Sequence, residues 1–419
     1  MDKRSFIKNI SLLGAVPAFG NMDKWIQKYE HLAPAVLASE EKFWAGIRSG
    51  YRIKPDYINL ENGYYSILPQ EILEHFIGHV REVNYQGAYY MRTRQFDDKN
   101  AMAEKLALLA GCSKAELIIT RNTTEALDMV IAGTNWQAGD EAIMAEQDYG
   151  AMLDMFKQVS KRYGVVNKII SIPNHPGSDE EIVNLYANAI TAKTKLLMVC
   201  HIINITGQIL PVRKICDMAH SKGVKIMVDG AHAFAHFQYS IPDLHCDYYG
   251  TSLHKWLSVP LGAGFLYVNK TNIQDIWPLL GAGIDSRQDD ILRLNHTGTH
   301  PVHTDLAIAN ALDYFFKIGA ERKEARLRYL QFYWTDKVRN LPNVVVNTPE
   351  DMQRSCGIAN VGVKNINPGE FANILLTKYK IYTVAINYAN VYGCRITPNI
   401  YTRPQELDQL VKALKELGA

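Results

Sequence analysis

From about residue 100 the chain alternates short β-rich apolar runs with segments of helical period. This pattern constrains the fold more than any other feature of the sequence. The runs fall at 117–120, 141–145, 166–170, 195–200, 225–229, 247–251 and 264–268. Between most of them lie stretches of ten to fifteen residues with helical spacing, such as 100–110 ending at Gly111 and 212–222 ending at Gly223. A glycine there supplies the left-handed residue that stops a helix. Strand, helix, strand in repetition predicts βαβ crossovers and hence an α/β domain with a mostly parallel sheet.

After about residue 305 the rhythm changes. Long charged helices are expected at 305–316 and 321–338, then short β segments at 344–347, 357–363, 381–384 and 393–397, then a last helix. That helix has Pro404 in its first turn and one apolar stripe of Leu407, Leu410, Val411, Leu414 and Leu417. A smaller α+β domain follows, and 419 residues leave room for both. The expected division is 58–303 for the large domain, with 39–57 and 304–419 in the small one.

Lys plus Arg exceed Asp plus Glu by only two, 45 against 43, which argues against a polyanion such as nucleic acid as the main partner. No apolar run reaches the roughly 20 residues of a membrane-spanning helix. The six cysteines are dispersed without a C-x-x-C pair, so they are read as free thiols rather than a metal knot or disulfide framework. At the start, Lys3-Arg4-Ser5-Phe6-Ile7-Lys8 runs into a moderately apolar stretch, 10–20, in the manner of an export signal. It resembles a twin-arginine leader with lysine in the first arginine position. Residues 1–38 are therefore expected to be either such a leader, which would send the protein to the periplasm, or an N-terminal helix of a cytoplasmic protein.

The chemistry concentrates at strand ends. Val228-Asp229-Gly-Ala-His232 and Thr251-Ser252-Leu-His254-Lys255 both follow predicted strands, which puts Asp229 and Lys255 at the carboxyl edge of the sheet, where open α/β folds bind ligands. A lysine buried there must be neutralised, paired or used. Upstream, Thr120-Arg121-Asn122-Thr123-Thr124-Glu125 joins a strand to a helix, and Asn122 with Glu125 has capping-box spacing. Free backbone N–H groups and two hydroxyls converge there into a phosphate cradle without a Walker sequence.

Together with Asn204-Ile-Thr-Gly-Gln208-Ile-Leu-Pro211, Gly298-Thr299 and Gly393-Cys-Arg395, these pieces resemble the fold type I pyridoxal-phosphate enzymes. The resemblance is to the class V aminotransferase family, in its isopenicillin N epimerase-like branch, and covers roughly 55–415. It implies a three-layer α/β/α large domain with a mostly parallel seven-stranded sheet, plus a smaller α+β C-terminal domain. It implies pyridoxal 5′-phosphate as cofactor, with Lys255 joined to its aldehyde as an internal aldimine and Asp229 paired with the pyridine nitrogen. By the same resemblance His232 contacts the ring or its phenolic oxygen, Thr123, Thr124, Ser252 and His254 bind the phosphate, and Tyr149 stacks on the ring. Asn204, with Gln208 as a second candidate, polarises the O3′ side. Arg395 clamps the substrate α-carboxylate, and Thr299 reaches the phosphate of the neighbouring subunit in a homodimer.

The expected activity is chemistry at Cα of an amino acid or a derivative, as transamination or epimerisation, with Tyr149, Tyr64 or Tyr65 as candidates for a second-face acid. Carbon–sulfur β-elimination and desulfurase-like chemistry are the alternatives. A desulfurase needs a nucleophilic cysteine on a mobile loop ahead of the arginine, and the stretch 385–393 has none, with Cys356 and Cys394 poorly placed. A metallohydrolase using Asp229, His232 and His236, or His296, His300 and His303, would leave Lys255 and the cradle unexplained. A non-catalytic binding protein would have no use for an intact Asp229 and Lys255. The lack of a G-x-G-x-x-G disfavours a nicotinamide enzyme.

Overall fold

The computed structural model describes residues 22–281 and 287–419. The charged and apolar start of the chain, on which the leader reading rests, lies outside the described residues. Seven strands form the central sheet: β1 (Leu117–Thr120), β2 (Glu141–Ala145), β3 (Val166–Ile170), β4 (Thr194–Cys200), β5 (Lys225–Asp229), β6 (Tyr248–Ser252) and β7 (Gly264–Val268). Their order is β1-β7-β6-β5-β4-β2-β3, and only β7 runs antiparallel to its neighbours. Alternate residues serve opposite faces: Leu197 and Val199 enter one apolar core, Leu196 and Met198 the other. Helices cover both faces, which makes the three layers and explains why six of the strands read as almost continuous apolar runs. Edge strand β3 is the exception, with Val166 and Ile169 exposed.

Register fixes where the site can form. Cys200 lies level with Asp229, and Asp229 with Gly250, so the carboxyl ends of β4, β5 and β6 open along one line. At the next strand Gly264 presses against the start of the helix Thr123–Gly133. A Cβ there would lie 2.5 Å from Thr251 O and 2.8 Å from Asn122 Cα, so only glycine permits the approach.

The smaller sheet holds β8 (Val344–Val346), β9 (Ala359–Val363), β10 (Val384–Tyr388) and β11 (Val391–Ile396), all antiparallel, in the order β10-β11-β9-β8. Leu330 and Trp334 of one helix and Leu407, Leu410 and Leu414 of the last helix pack in its core. The structure differs here from expectation. The stretch read as loop between short β segments is a hairpin, turned by Ala389 and Asn390 with φ of 53° and 59°. Paired left-handed residues make the tight turn that matches strand twist, but without the usual glycine the sequence does not announce it.

Residues 22–48 form the short helices Met22–Gln27, Pro34–Leu37 and Glu41–Arg48, packed on the body of the protein. Trp44 Nε1 donates to Leu37 O at 2.7 Å, and buried Arg326 donates to Ala38 O at 2.8 Å. Next, Ile58–Asn59 pairs in parallel with Ile381–Tyr382, and Glu61 bridges to Thr397. Residues 58–62, placed by sequence at the start of the large domain, thus run along the small one. Two residues are too few to show a strand period.

Candidate active site

One cavity sits where the strand ends, the 61–64 segment and β11 meet. Thr123, Thr124, Tyr149, Asn204, Asp229, His232, Ser252, His254, Lys255 and Arg395 all line it. Ten of the twelve residues assigned from sequence to cofactor or substrate are therefore brought together.

At one end the helix Thr123–Gly133 presents its N-terminus. Asn122 Oδ1 accepts the Glu125 N–H at 2.9 Å, and Ser252 Oγ accepts the Thr123 N–H at 2.9 Å and lies 2.7 Å from Thr123 Oγ1. Two hydroxyls are thereby locked side by side at the positive end of a helix, the arrangement that attracts a phosphate. Beside them, burial and Lys255 pull the His254 imidazole down to about 4, so it is neutral at pH 7.

In the middle lies Lys255. Burial lowers its amine to about 8 against the attraction of Asp229, and Arg395 pushes it the same way. Its Nζ is 3.0 Å from His232 Nε2. Burial, with Lys255 and Arg395 nearby, holds His232 neutral, so the amine donates and the imidazole accepts. Asp229 is buried at the end of β5, and Oδ1 accepts the Ala231 N–H at 2.9 Å. Burial raises its carboxyl, while that N–H and Lys255 lower it. A carboxylate, a near-neutral amine and a hydroxyl cradle in one pocket match the pyridine nitrogen, aldehyde and phosphate of pyridoxal phosphate.

Tyr149 precedes the helix Gly150–Tyr163 and is 46% exposed at the wall, so its ring is free to cover a flat ligand. One expectation, that for Gln208, needs revision. Thr299 is exposed and does not line this chain's cavity, following Gly298 at φ 76°. Gln208 is fully buried away from the cavity, where Gly207 at φ 78° turns the loop so tightly that a Cβ would lie 1.9 Å from Ile358 O. Its position follows from that turn, and it belongs to loop structure. Arg395 lines the cavity, yet its Nε and Nη2 already donate to Glu61 at 3.0 and 2.6 Å, and its Nη1 to Asn204 O at 3.3 Å.

Sequence reasoning missed Glu61 and Cys200. Cys200 ends β4 beside Asp229, and aligning the strand ends would have found it. Burial, Asp148 and Asp229 raise its thiol, which keeps it protonated. No residue pattern marks Glu61, since its partner stands 334 positions away.

Among the described residues no three His, Cys, Asp or Glu side chains group to hold a metal. His236 is taken up otherwise: Nδ1 is 2.7 Å from His232 O, Nε2 accepts the Gly357 N–H at 2.8 Å, and the ring stacks on Trp256. His300 pairs with Asp305 at 2.8 Å.

Comparison with known proteins decides the family. The profile for Aminotransferase class-V matches residues 66–387, most of the chain. The chain belongs to the class-V aminotransferase family. Isopenicillin N epimerase of Streptomyces clavuligerus is 26% identical over 397 residues, covering 89% of this chain and 98% of that protein. A probable cysteine desulfurase of Halalkalibacterium halodurans is 25% identical over 333 residues, covering 76% and 80%. Among solved structures, the apo cysteine desulfurase from Thermococcus onnurineus NA1 superposes with a TM-score of 0.78 at 20% identity, over 89% of this chain and 97% of that one. The cystine C-S lyase C-DES, in complex with its product cysteine persulfide, gives 0.76 at 21% identity, over 87% and 98%. These likenesses show the fold, the fold type I of pyridoxal-phosphate enzymes. This class-V chain is a pyridoxal-phosphate enzyme.

Proposed function

We propose that this class-V enzyme takes and returns the proton at Cα of an amino acid, as a transaminase or an epimerase resembling isopenicillin N epimerase. The observation that carries the reading is Lys255, an amine tuned to about 8 and set in one cavity with Asp229, the cradle and Arg395. Bound pyridoxal phosphate supplies an electron sink for the charge left at Cα. Asp229 would hold a proton on the ring nitrogen, and Thr123, Thr124, Ser252 and the helix N-terminus would hold the phosphate. Lys255 would move the Cα proton, its lowered basicity leaving a useful fraction unprotonated near neutrality. His232 accepts from the Lys255 amine and so fixes its direction. Tyr64 and Tyr149, both at the wall, are the side chains available to a proton on the other face.

A persulfide route has little support. Cys200 is the cysteine at the cavity wall, and its thiol is held protonated at a strand end rather than on a mobile loop. Cys356 and Cys394 are buried away from the cavity, with thiols pushed up to about 12 by burial.

We further propose a homodimer. Tyr85, Tyr89 and Phe96, close in sequence, are all exposed, and a second copy would cover them. Thr299 is exposed and free to reach a second copy, as a two-fold interface would require. On its leader-like start we also propose export to the periplasm, which fractionation and N-terminal sequencing of the mature protein would test.

The functional reading is tested with purified protein and added cofactor. Borohydride should bleach a visible band and fix the cofactor to Lys255, and Lys255→Ala should lose about 10²–10⁴-fold in turnover while still binding cofactor through the cradle. A protein that stays colourless with added cofactor would sink the reading. Keto acid, ammonia and inversion of chirality, followed separately over L- and D-amino acids, identify the reaction.

A further inference from the structure

Arg395 is already half engaged. A guanidinium carries five N–H donors. Glu61 takes the Nε donor and one from Nη2, and Asn204 O takes one from Nη1, so one N–H remains on each terminal nitrogen. Those two are the donors left for a carboxylate. The pair is buried, with 8% and 6% side-chain exposure, and parting it would strand a charge out of water. Glu61 is itself held on three sides. Its Oε1 also accepts the Tyr64 N–H at 2.9 Å, its own N–H donates to Asn59 Oδ1 at 3.1 Å, and its backbone bridges to Thr397.

We propose that Glu61 is a positioning residue of this enzyme: it grips the Nε edge of Arg395 so that only the terminal edge meets the substrate carboxylate, and through Tyr64 it ties that grip to the cavity mouth. The inference rests on the functional reading above, because it presumes that a substrate carboxylate comes to Arg395. Its consequence is a division of labour. Glu61 cancels the formal charge of Arg395, so the carboxylate is held chiefly by direction, and losing Glu61 harms orientation more than affinity. An anion should even bind a little better to an arginine freed of its counter-charge.

The test compares wild-type holoenzyme with Glu61→Gln and Glu61→Asp, using an amino acid the wild type turns over and propionate as an unreactive carboxylate. For Glu61→Gln, kcat should fall about 100-fold, the scale of a misplacement near 1 Å. KM and the propionate inhibition constant should stay within about threefold or fall, the signature of an interaction that acts in the transition state. Glu61→Asp, which keeps the charge on a shorter arm, should recover part of the lost kcat. The visible-band titration of Glu61→Gln should move to lower pH, since Glu61 is among the groups that favour the protonated Lys255.

Unchanged kcat would overturn the proposal, as would a propionate constant that rises in step with the loss in kcat/KM. If neither variant folds with cofactor bound, the pair is a structural brace and the proposal fails. A wild-type holoenzyme that binds propionate yet turns over no amino acid overturns the functional reading instead.

Discussion

The two ends of the cavity are built in different ways. The cradle end comes from one tight strand-to-helix turn, 120–125, closed by Ser252 at the end of β6 and by the glycine at the start of β7. The carboxylate end is assembled from three distant pieces: Glu61 on the segment after the short strand pair, Asn204 after β4, and Arg395 on β11. A cofactor that stays needs a rigid, local socket. A substrate that comes and goes is met by residues from two domains.

Breaking the carboxylate end should have the larger effect. Arg395→Gln removes the substrate clamp and leaves Glu61 as a buried carboxylate without its cation, a loss of about 3–5 kcal/mol in stability by the usual cost of halving a buried pair. Thermal unfolding should show that loss, and kcat/KM should fall by about 10²–10³ with cofactor affinity nearly unchanged. Equal loss of cofactor would mean that the two ends are not independent.

Lys255 stands between the ends, and pH reads it. Its amine is lowered from 10.5 to about 8, so the apoenzyme carries it protonated below that value and neutral above it. Only the neutral amine attacks an aldehyde, so cofactor capture by apoenzyme should rise about 50-fold from pH 6 to pH 8 and then level off. Stability follows the same sign. The folded state disfavours the charge, so apoenzyme should gain stability as pH rises from about 8 toward 10.5, where the unfolded chain still binds the proton. A capture rate flat across this range would contradict the assigned environment.

At the cradle end the smaller test is Gly264→Ala. The added Cβ meets backbone atoms of Thr251 and Asn122, which have no side-chain freedom to yield, so a cost of about 1–3 kcal/mol is expected. It should appear as roughly tenfold weaker cofactor binding with KM for the amino acid little changed. Direct binding of cofactor to apoenzyme, followed by fluorescence, measures it.

The same contrast explains what could be read in advance. The large sheet was legible because six of its strands are apolar runs bounded by turn residues, and only the strands Thr194–Cys200 and Tyr248–Ser252 have bounds that differ from the reading, each by one residue. The cradle, Asp229 and Lys255 were legible because each lies on a local motif. Glu61 and the hairpin at 389–390 were not, because long-range partners hold them. Gln208 misled because its motif is local, while the turn at Gly207 against Ile358 that buries it is tertiary.

The hairpin offers the finest test of the comparison. Its tip crosses to the large domain: Asn390 Nδ2 donates to Glu146 Oε1 at 2.8 Å, and Gln147 Nε2 donates to Ala389 O at 3.2 Å, just ahead of Tyr149. Arg395 lies on the strand that leaves this turn, so the clasp ties the carboxylate end to the wall that carries Tyr149. In Asn390→Ala the left-handed turn loses a side chain suited to it and the clasp loses the bonds from Asn390 Nδ2 to Glu146 Oε1 and Ser171 Oγ. Each is worth about 1 kcal/mol, the second less for being exposed. KM for the amino acid should rise about threefold to fivefold while cofactor affinity stays the same, because nothing in the clasp touches the cradle. A matching loss of cofactor would show that the hairpin braces the whole cavity, and the division into a rigid socket and an assembled clamp would then have to be given up.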